Sequence, residues 1–487
     1  MSYWQQTVRR AWPLLMALGL LLALAACGGS GDEDGGEGTA TPGGSATAEG
    51  ATAAATSAAP TASGHTVEIT MWHDNVAATL DAIEGLARRF NSSQNEVKVK
   101  LAFQGTDVEE MAKLVTSLGG GELPNIVQES EQFTQRLIDS GAIAPIQEFV
   151  DKDNYDLSDL NKKAVEYYTV DGTLWAMPFG VVFPMLYYNK NVFRDVGLDP
   201  ESPPKDTEEV RQVSEKMLQR DAHGNVTRTG IAIDVTGWLL EFTFVEHGDL
   251  YANNENGRNG RATEVLFNGP TGQALFQWWH DMVEDDLAIN VGRNPTYAES
   301  YLTLGSGRVG MAVGHSSALR SVVDALEGGL AQTEVDLGVA HLPGVPGGTG
   351  LDGLGGRTLW ILNSHPKEEQ EAAWKFIKWL MEPEQQAEWY AESGYLPVNL
   401  KALELPAAAE IETKYPQFKV AAQLYLAAAS SPALVLGALL GPYLDIVDIV
   451  MRAVEEMLIG DKDPIDAIND AADEANEIIE EYNRRVQ

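Results

Sequence analysis

From Val67 onward, short runs that alternate like half-buried strands are separated by longer runs with helical spacing, and this alternation constrains the fold more than any other feature. Val67-Glu-Ile-Thr-Met-Trp72 alternates apolar and polar residues and leads into a helix over Ala77 to Phe90, with Leu80, Ile83, Ala87 and Phe90 on one face. Further strands are expected at Val97 to Phe103, Asn125 to Gln128, Pro184 to Tyr188, Gly230 to Ile233, Val309 to Val313, Leu337 to His341 and Thr358 to Leu362. Helices are expected over Thr207 to Leu218, after Pro203-Pro204, and over Pro366 to Met381 with Ser364 as N-cap. In the last helix Asp463 is placed to cap and Pro464 takes the first helical position. Ile465, Ile468, Ala472, Ala475, Ile479 and Tyr482 form its apolar stripe. The pattern predicts an α/β protein.

The 487 residues suffice for two or three domains with real cores. With 71 Asp plus Glu against 34 Lys plus Arg, the net charge is −37. That charge repels phosphate backbones, so no nucleic-acid partner is expected. Ala421 to Leu440 is rich in Ala and Leu, but Ser430-Ser431-Pro432 interrupts it, which predicts a packed helical pair rather than a membrane span.

Cys27 is the only cysteine, which excludes a disulfide framework and a multi-cysteine zinc site. Arg9 and Arg10 precede an apolar run, Ala11 to Ala26, that is short for a membrane span and ends in small residues. Its close, Leu24-Ala25-Ala26-Cys27, resembles the lipobox of bacterial lipoproteins. The resemblance implies a signal peptide over residues 1–26, acylation of Cys27 and anchoring to the outer face of the cytoplasmic membrane, at the cell surface or in the periplasm. Residues 27–65 would then be the lipidated cysteine and a tether. The stretch after Cys27 is rich in Gly, Ala, Thr and Ser, is acidic, and holds too little apolar surface to fold. As a flexible coil it would span on the order of 35 Å.

Several motifs suggest chemistry and fall short of it. Gly314-His-Ser-Ser-Ala318 follows a strand-like run and mimics the nucleophile elbow of α/β-hydrolases, which would make Ser316 a nucleophile. The fifth position is Ala rather than Gly, and the alternative is a strand-to-helix turn whose Ser316 and Ser317 bind ligand or cap the helix. Asp151-Lys-Asp-Asn-Tyr-Asp156 lacks the glycine and the bidentate glutamate of a calcium loop. Gly353-Leu-Gly-Gly356 precedes a strand, so it is no dinucleotide fingerprint. The eight histidines form no H-x-x-x-H pair, and neither a metal nor a cofactor is expected. Trp72, Trp175, Trp238, Trp360 and Trp389 lie beside strand ends or turns. At least half should be core residues, while the rest offer flat faces to a sugar or polyol.

Three ordered blocks carry a family resemblance: Leu186-Tyr-Tyr-Asn-Lys-Asn-Val-Phe-Arg-Asp-Val-Gly-Leu-Asp-Pro200 with Pro203-Pro-Lys205, Gly355-Gly-Arg-Thr-Leu-Trp360, and Ala387-Glu-Trp-Tyr-Ala-Glu-Ser-Gly-Tyr-Leu-Pro397. Over Thr66 to Gln487 the chain resembles the extracellular solute-binding proteins of carbohydrate-type ABC importers, the class that includes maltose-binding and glycerol-phosphate-binding proteins. The resemblance implies a two-lobed periplasmic-binding-protein fold (type II), with lobes joined by hinge crossovers and no catalysis. Lobe one would comprise 66–180 and 350–398, and lobe two 181–349 and 399–487. The implied partners are a small carbohydrate or polyol ligand and the permease subunits of the importer.

Ligands of open α/β sheets lie at the carboxyl ends of strands. That rule selects His73-Asp74-Asn75 after the first strand, Glu129 to Glu131 after the third, and Gly314 to Ser317 with Ser316 and Ser317 as its ligand candidates; Phe103 is a further candidate. The resemblance adds Trp238, Tyr395, Gly355 and Gly356 as ligand positions, with Arg357 as an addition in the Gly-Gly block. Against the glycerol-phosphate branch, Gly180, Val181, Val182 and Phe183 replace serines after Pro178-Phe179, and Val447 aligns with its late arginine. An arginine fork recognises a phosphomonoester best. Its loss therefore predicts a preference for neutral sugars over glycerol phosphate and its diesters.

Overall fold

The computed structural model describes residues 65–293, 298–329, 331–350, 353–430 and 436–486. The stretches expected to be a signal peptide and a tether, with Cys27, and the Ser431-Pro432 break lie outside the described residues. Among these residues no helix is long and apolar enough to cross a membrane.

Two mixed sheets organise the body. In spatial order the first holds Leu396–Pro397, Met177–Val182, Gly355–Leu362, Ile126–Ser130, Val67–His73 and Val97–Phe103, with Ile143–Ala144 beside Gly355–Leu362. Val67–His73 runs parallel to both of its neighbours, while Gly355–Leu362 is antiparallel to Ile126–Ser130 and Met177–Val182. The second sheet holds Ala288–Arg293, Val226–Val235, Val309–His315, Pro184–Asn189 and Leu337–His341, with Gln219–Arg220 on the side of Val226–Val235. Its three parallel strands are Ala288–Arg293, Val226–Val235 and Val309–His315. The chain passes from the first sheet to the second at Phe183, so the two sheets are consecutive in sequence there and joined by a single residue.

Helices cover both sheets because their apolar stripes have nowhere else to go. Ala77–Ser93 buries Ala82, Ile83, Leu86, Ala87 and Phe90, and the Phe90 ring lies 4.9 Å from that of Phe376 in helix Lys367–Leu380. Under the second sheet, Phe276 and Trp279 of Pro270–Glu284 pack in one apolar cluster with Ile446 and Val450 of Tyr443–Gly460 and Ile468 of Pro464–Val486. The strand Pro184–Asn189 is buried along its whole length. That explains its near-continuous apolar sequence in place of alternation.

Most expected elements form near the expected bounds. Asp463 caps the last helix as anticipated, its Oδ1 accepting from the N–H groups of Ile465 (2.9 Å) and Asp466 (3.2 Å). Ser364 does not cap its helix: the N-cap is Pro366, and Gln370 Nε2 instead donates to the carbonyls of Asn363 and His365. The helical pair over Ala421 to Leu440 is also not formed, since the helix is Pro416–Ser430 and residues 436–440 are irregular. The acidic turn at Asp151 is a helix end, closed by left-handed Asn154, with Asp153 Oδ2 accepting from Trp374 Nε1 at 3.0 Å.

Candidate functional site between the strand ends

Parallel strands of both sheets end facing one another. Ser130 ends a strand of the first sheet, and the next residue, Glu131, meets Trp238, which opens helix Gly237–His247 just after Val226–Val235 of the second. Glu131 is 7% exposed. Its Oε1 accepts from Trp238 Nε1 at 3.2 Å and its Oε2 from the Gly356 N–H at 2.8 Å. Burial pushes the Glu131 carboxyl up, and these donors pull it back down. Glycine is required beside it. Gly356 has φ +142°, and a Cβ there would lie 2.0 Å from the Gly180 carbonyl oxygen; a Cβ on Gly355 would lie 2.7 Å from Glu131 Oε1.

Arg357 organises the rest of the first-sheet side. Its Nη2 donates to Asp74 Oδ2, its Nε donates to the Tyr395 hydroxyl at 3.1 Å, and Asp107 Oδ2 lies 3.9 Å from Nη1. Burial pushes Asp74 up, with Arg357 opposing it, and burial likewise raises Tyr395. Tyr395 also bonds Ser317, whose Oγ lies 2.7 Å from His315 Nδ1. Burial first, then the charge of Arg357, lowers His315 to about 4, so its imidazole is neutral near pH 7. Trp238 completes the circuit, edge-on to His315 at 6.3 Å and 4.2 Å from the Phe242 ring.

Asp74, Glu131, Trp238, Ser317, Gly355, Gly356, Arg357 and Tyr395 are thus brought together. His73 and Asn75 brace the loop that carries Asp74: His73 Nδ1 accepts from the Asn75 N–H at 3.2 Å, and Asn75 Nδ2 donates to Gln128 Oε1 at 2.6 Å. Phe103 stands at the edge, 54% exposed, its ring 6.0 Å from His73. Glu129 and Ser316 lie off this circuit. Glu129 is fully buried with Glu110, Asp74, Asp107 and Arg357 as its charged neighbours. Ser316 is 1% exposed and its Oγ accepts from the Phe183 N–H at 3.3 Å, so the hydroxyl pins the crossover. Trp360 and Trp389 are wholly buried core residues, as expected for part of the tryptophan set.

Sequence reasoning passed over Asp107, Glu110 and Phe242, whereas His315 lies within the strand-end stretch Gly314 to Ser317 that it selected. Thr106 and Glu109 form a capping box that marks helix Asp107–Leu118. Glu110, next to buried Met111 in that helix, was the available sign of an acid turned inward.

Two sheets whose strand ends meet across buried polar groups and an aromatic ring make the arrangement of a two-lobed solute-binding protein. The family model for bacterial extracellular solute-binding proteins matches residues 85–420. The chain is 28% identical over 425 residues to the sn-glycerol-3-phosphate-binding periplasmic protein UgpB of Salmonella typhimurium, covering 85% of this chain and 93% of that one. UgpB of Pectobacterium atrosepticum is 27% identical over 426 residues, covering 86% and 92%. Among solved structures, UgpB from Mycobacterium tuberculosis in complex with glycerophosphocholine has a TM-score of 0.70 at 19% identity, covering 87% of this chain and 100% of that one. The cyclic alpha-maltosyl-1,6-maltose binding protein of Arthrobacter globiformis has a TM-score of 0.68 at 21% identity, covering 85% and 99%. The chain belongs to the bacterial extracellular solute-binding proteins, the substrate-binding components of ABC importers.

Proposed function

We propose that the protein is lipid-anchored through Cys27, captures a neutral sugar, oligosaccharide or polyol between two lobes, and presents it to the importer's permease without catalysis. The observation that carries the ligand class is the commitment of Arg357. Its Nη2 and Nε are held by Asp74 and Tyr395, and Asp107 Oδ2 lies 3.9 Å from Nη1, so two carboxylates already face its charge, while Nη1 itself has no hydrogen-bond partner. Inserting a phosphate dianion beside Asp74 and Glu131 would set like charges together in a site of low polarity, whereas hydroxyls donate readily to carboxylates. Trp238 supplies the apolar face. The ligand positions are those of the circuit, with His73, Asn75 and Phe103 at its edge. The lobes divide as 66–180 with 350–398 and 181–349 with 399–487, the first-sheet strand Met177–Val182 running two residues past the first boundary.

The names of the UgpB relatives favour a second reading, a glycerol phosphate or glycerophosphodiester ligand. Here Val447 lies on helix Tyr443–Gly460 behind Gly237, where a Cβ on that glycine would lie 3.1 Å from it, and it brings no charge. The hydrolase reading of Ser316 is disfavoured by its burial and by its bond to Phe183. Native mass spectrometry of the protein with whatever ligand co-purifies tests the proposal. A bound mass of hexose units or a polyol is expected, and a phosphorus-containing ligand would contradict it.

A further inference from the structure

The parallel strands of the second sheet carry the candidate site at their carboxyl ends. Their amino ends form a separate open pocket of about 170 Å³, lined by Thr227, Arg228, Thr229, Asp286 and Arg308 among others. Arg228 is only 8% exposed. Its Nε donates to the Met217 carbonyl at 3.1 Å, while its Nη2 has no hydrogen-bond partner. The hydroxyl of Thr229, a residue 3% exposed, has none either. Arg308 is exposed at the rim. Asp286, the carboxylate in the lining, is already engaged by Arg220 at 2.5 Å.

A guanidinium withdrawn from water with one carbonyl as its bonded partner is an unbalanced charge, and buried charges in folded proteins are normally paired. Burial lowers the affinity of Arg228 for its proton, and the carboxylate that acts against this is Asp195. Arg228 and Arg308 line the pocket with Asp286, which Arg220 already engages, and Asp195 is the further carboxylate that acts on Arg228. The missing partner is therefore an anion, and planar arginine donors match the oxygens of a tetrahedral oxyanion. We propose that this pocket is an oxyanion site that takes a phosphate group, as inorganic phosphate or as a phosphomonoester headgroup, between Arg228 and Arg308. It is independent of the cleft, lying at the other end of the same strands.

The chain without residues 1–27, so that neither the apolar run nor an acyl group on Cys27 floats it, is melted in increasing inorganic phosphate, with chloride holding the ionic strength constant, and is floated with phosphatidylcholine vesicles with and without phosphatidic acid. A saturable rise in melting temperature, or flotation that depends on phosphatidic acid, is expected. The first identifies a soluble phosphate as ligand and the second a membrane headgroup. Arg308→Glu, at an exposed position, should keep the parent fold and weaken either effect roughly tenfold or more, the scale of a lost charge-assisted contact. Arg228→Gln should abolish it, and should that variant misfold, Arg308→Glu alone decides. Neither a saturable rise nor phosphatidic-acid-dependent flotation, or effects unchanged in Arg308→Glu, would overturn the site.

Discussion

Trp238 and Arg357 have opposite roles at the same cleft, and single substitutions separate them. Trp238 is half-buried, and its Nε1 donates to Glu131 from the other sheet's strand end. Trp238→Ala should weaken ligand binding by about 1–3 kcal/mol, the scale of a lost aromatic anchor, while the ligand-free melting temperature barely moves. Calorimetry and a melting curve on the same variant check both halves, and a large loss of ligand-free stability would mark Trp238 as core. Arg357 instead balances Asp74, whose side chain is 5% exposed against 17% for the arginine. Arg357→Met should cost about 3 kcal/mol or more by stranding a buried carboxylate. The double change Asp74→Asn with Arg357→Met should recover most of that loss. Urea unfolding of the single and double variants measures the recovery, and strictly additive losses would break the argument.

Helix Asp107–Leu118 brings its own titration to the strand ends. Glu110 from the helix and Glu129 from strand Ile126–Ser130 are both fully buried, and none of their four carboxyl oxygens has a donor. Burial raises both carboxyls, Glu110 to about 9, and their mutual repulsion with Asp74 and Asp107 adds to this, against the pull of Arg357 and, at Glu110, Lys113. Between the ordinary carboxyl range and about pH 9 the native chain thus holds protons that the unfolded chain has released, so stability falls as pH rises across that window. Glu110→Gln should flatten the alkaline side of the stability–pH profile, read by urea midpoints at stepped pH. An unchanged profile would contradict a protonated Glu110.

The elements were legible wherever one face alone is buried, as in Val67–His73, Ala77–Ser93 and the last helix. Met177–Val182 was not. It is buried along its whole length, so it shows no alternation, and Pro178 and Gly180 argue against a strand. Pro178 fits because it sits at the register shift between Arg357 and Thr358 of the neighbouring strand. Ser364 had the chemistry of a cap, but Pro366 set the helix start instead. In the cleft, strand-end residues could be named from the order of elements. The partners of Arg357 could not, because Asp74, Asp107 and Tyr395 come from three separated segments that only the fold assembles.

At the scale of the molecule the account has two parts, tethering and capture. If Cys27 anchors the chain, Cys27→Ser should leave the protein either uncleaved or released, which fractionation of membranes and medium reads directly; a variant processed and retained like the parent would remove the lipid from the account. Capture by closure requires that ligand favour the closed arrangement over the open one. In the proposed account, the hydrogen bond of Trp238 to Glu131 is a contact that closure would make. The most direct measurement is calorimetry of the purified protein against maltose, trehalose, glycerol phosphate and glycerophosphocholine. The account predicts saturable binding of a neutral sugar, weakened in Trp238→Ala, and no heat from either phosphorylated compound. Binding of glycerol phosphate or glycerophosphocholine that disappears in Arg357→Ala would contradict it and make Arg357 a phosphate ligand.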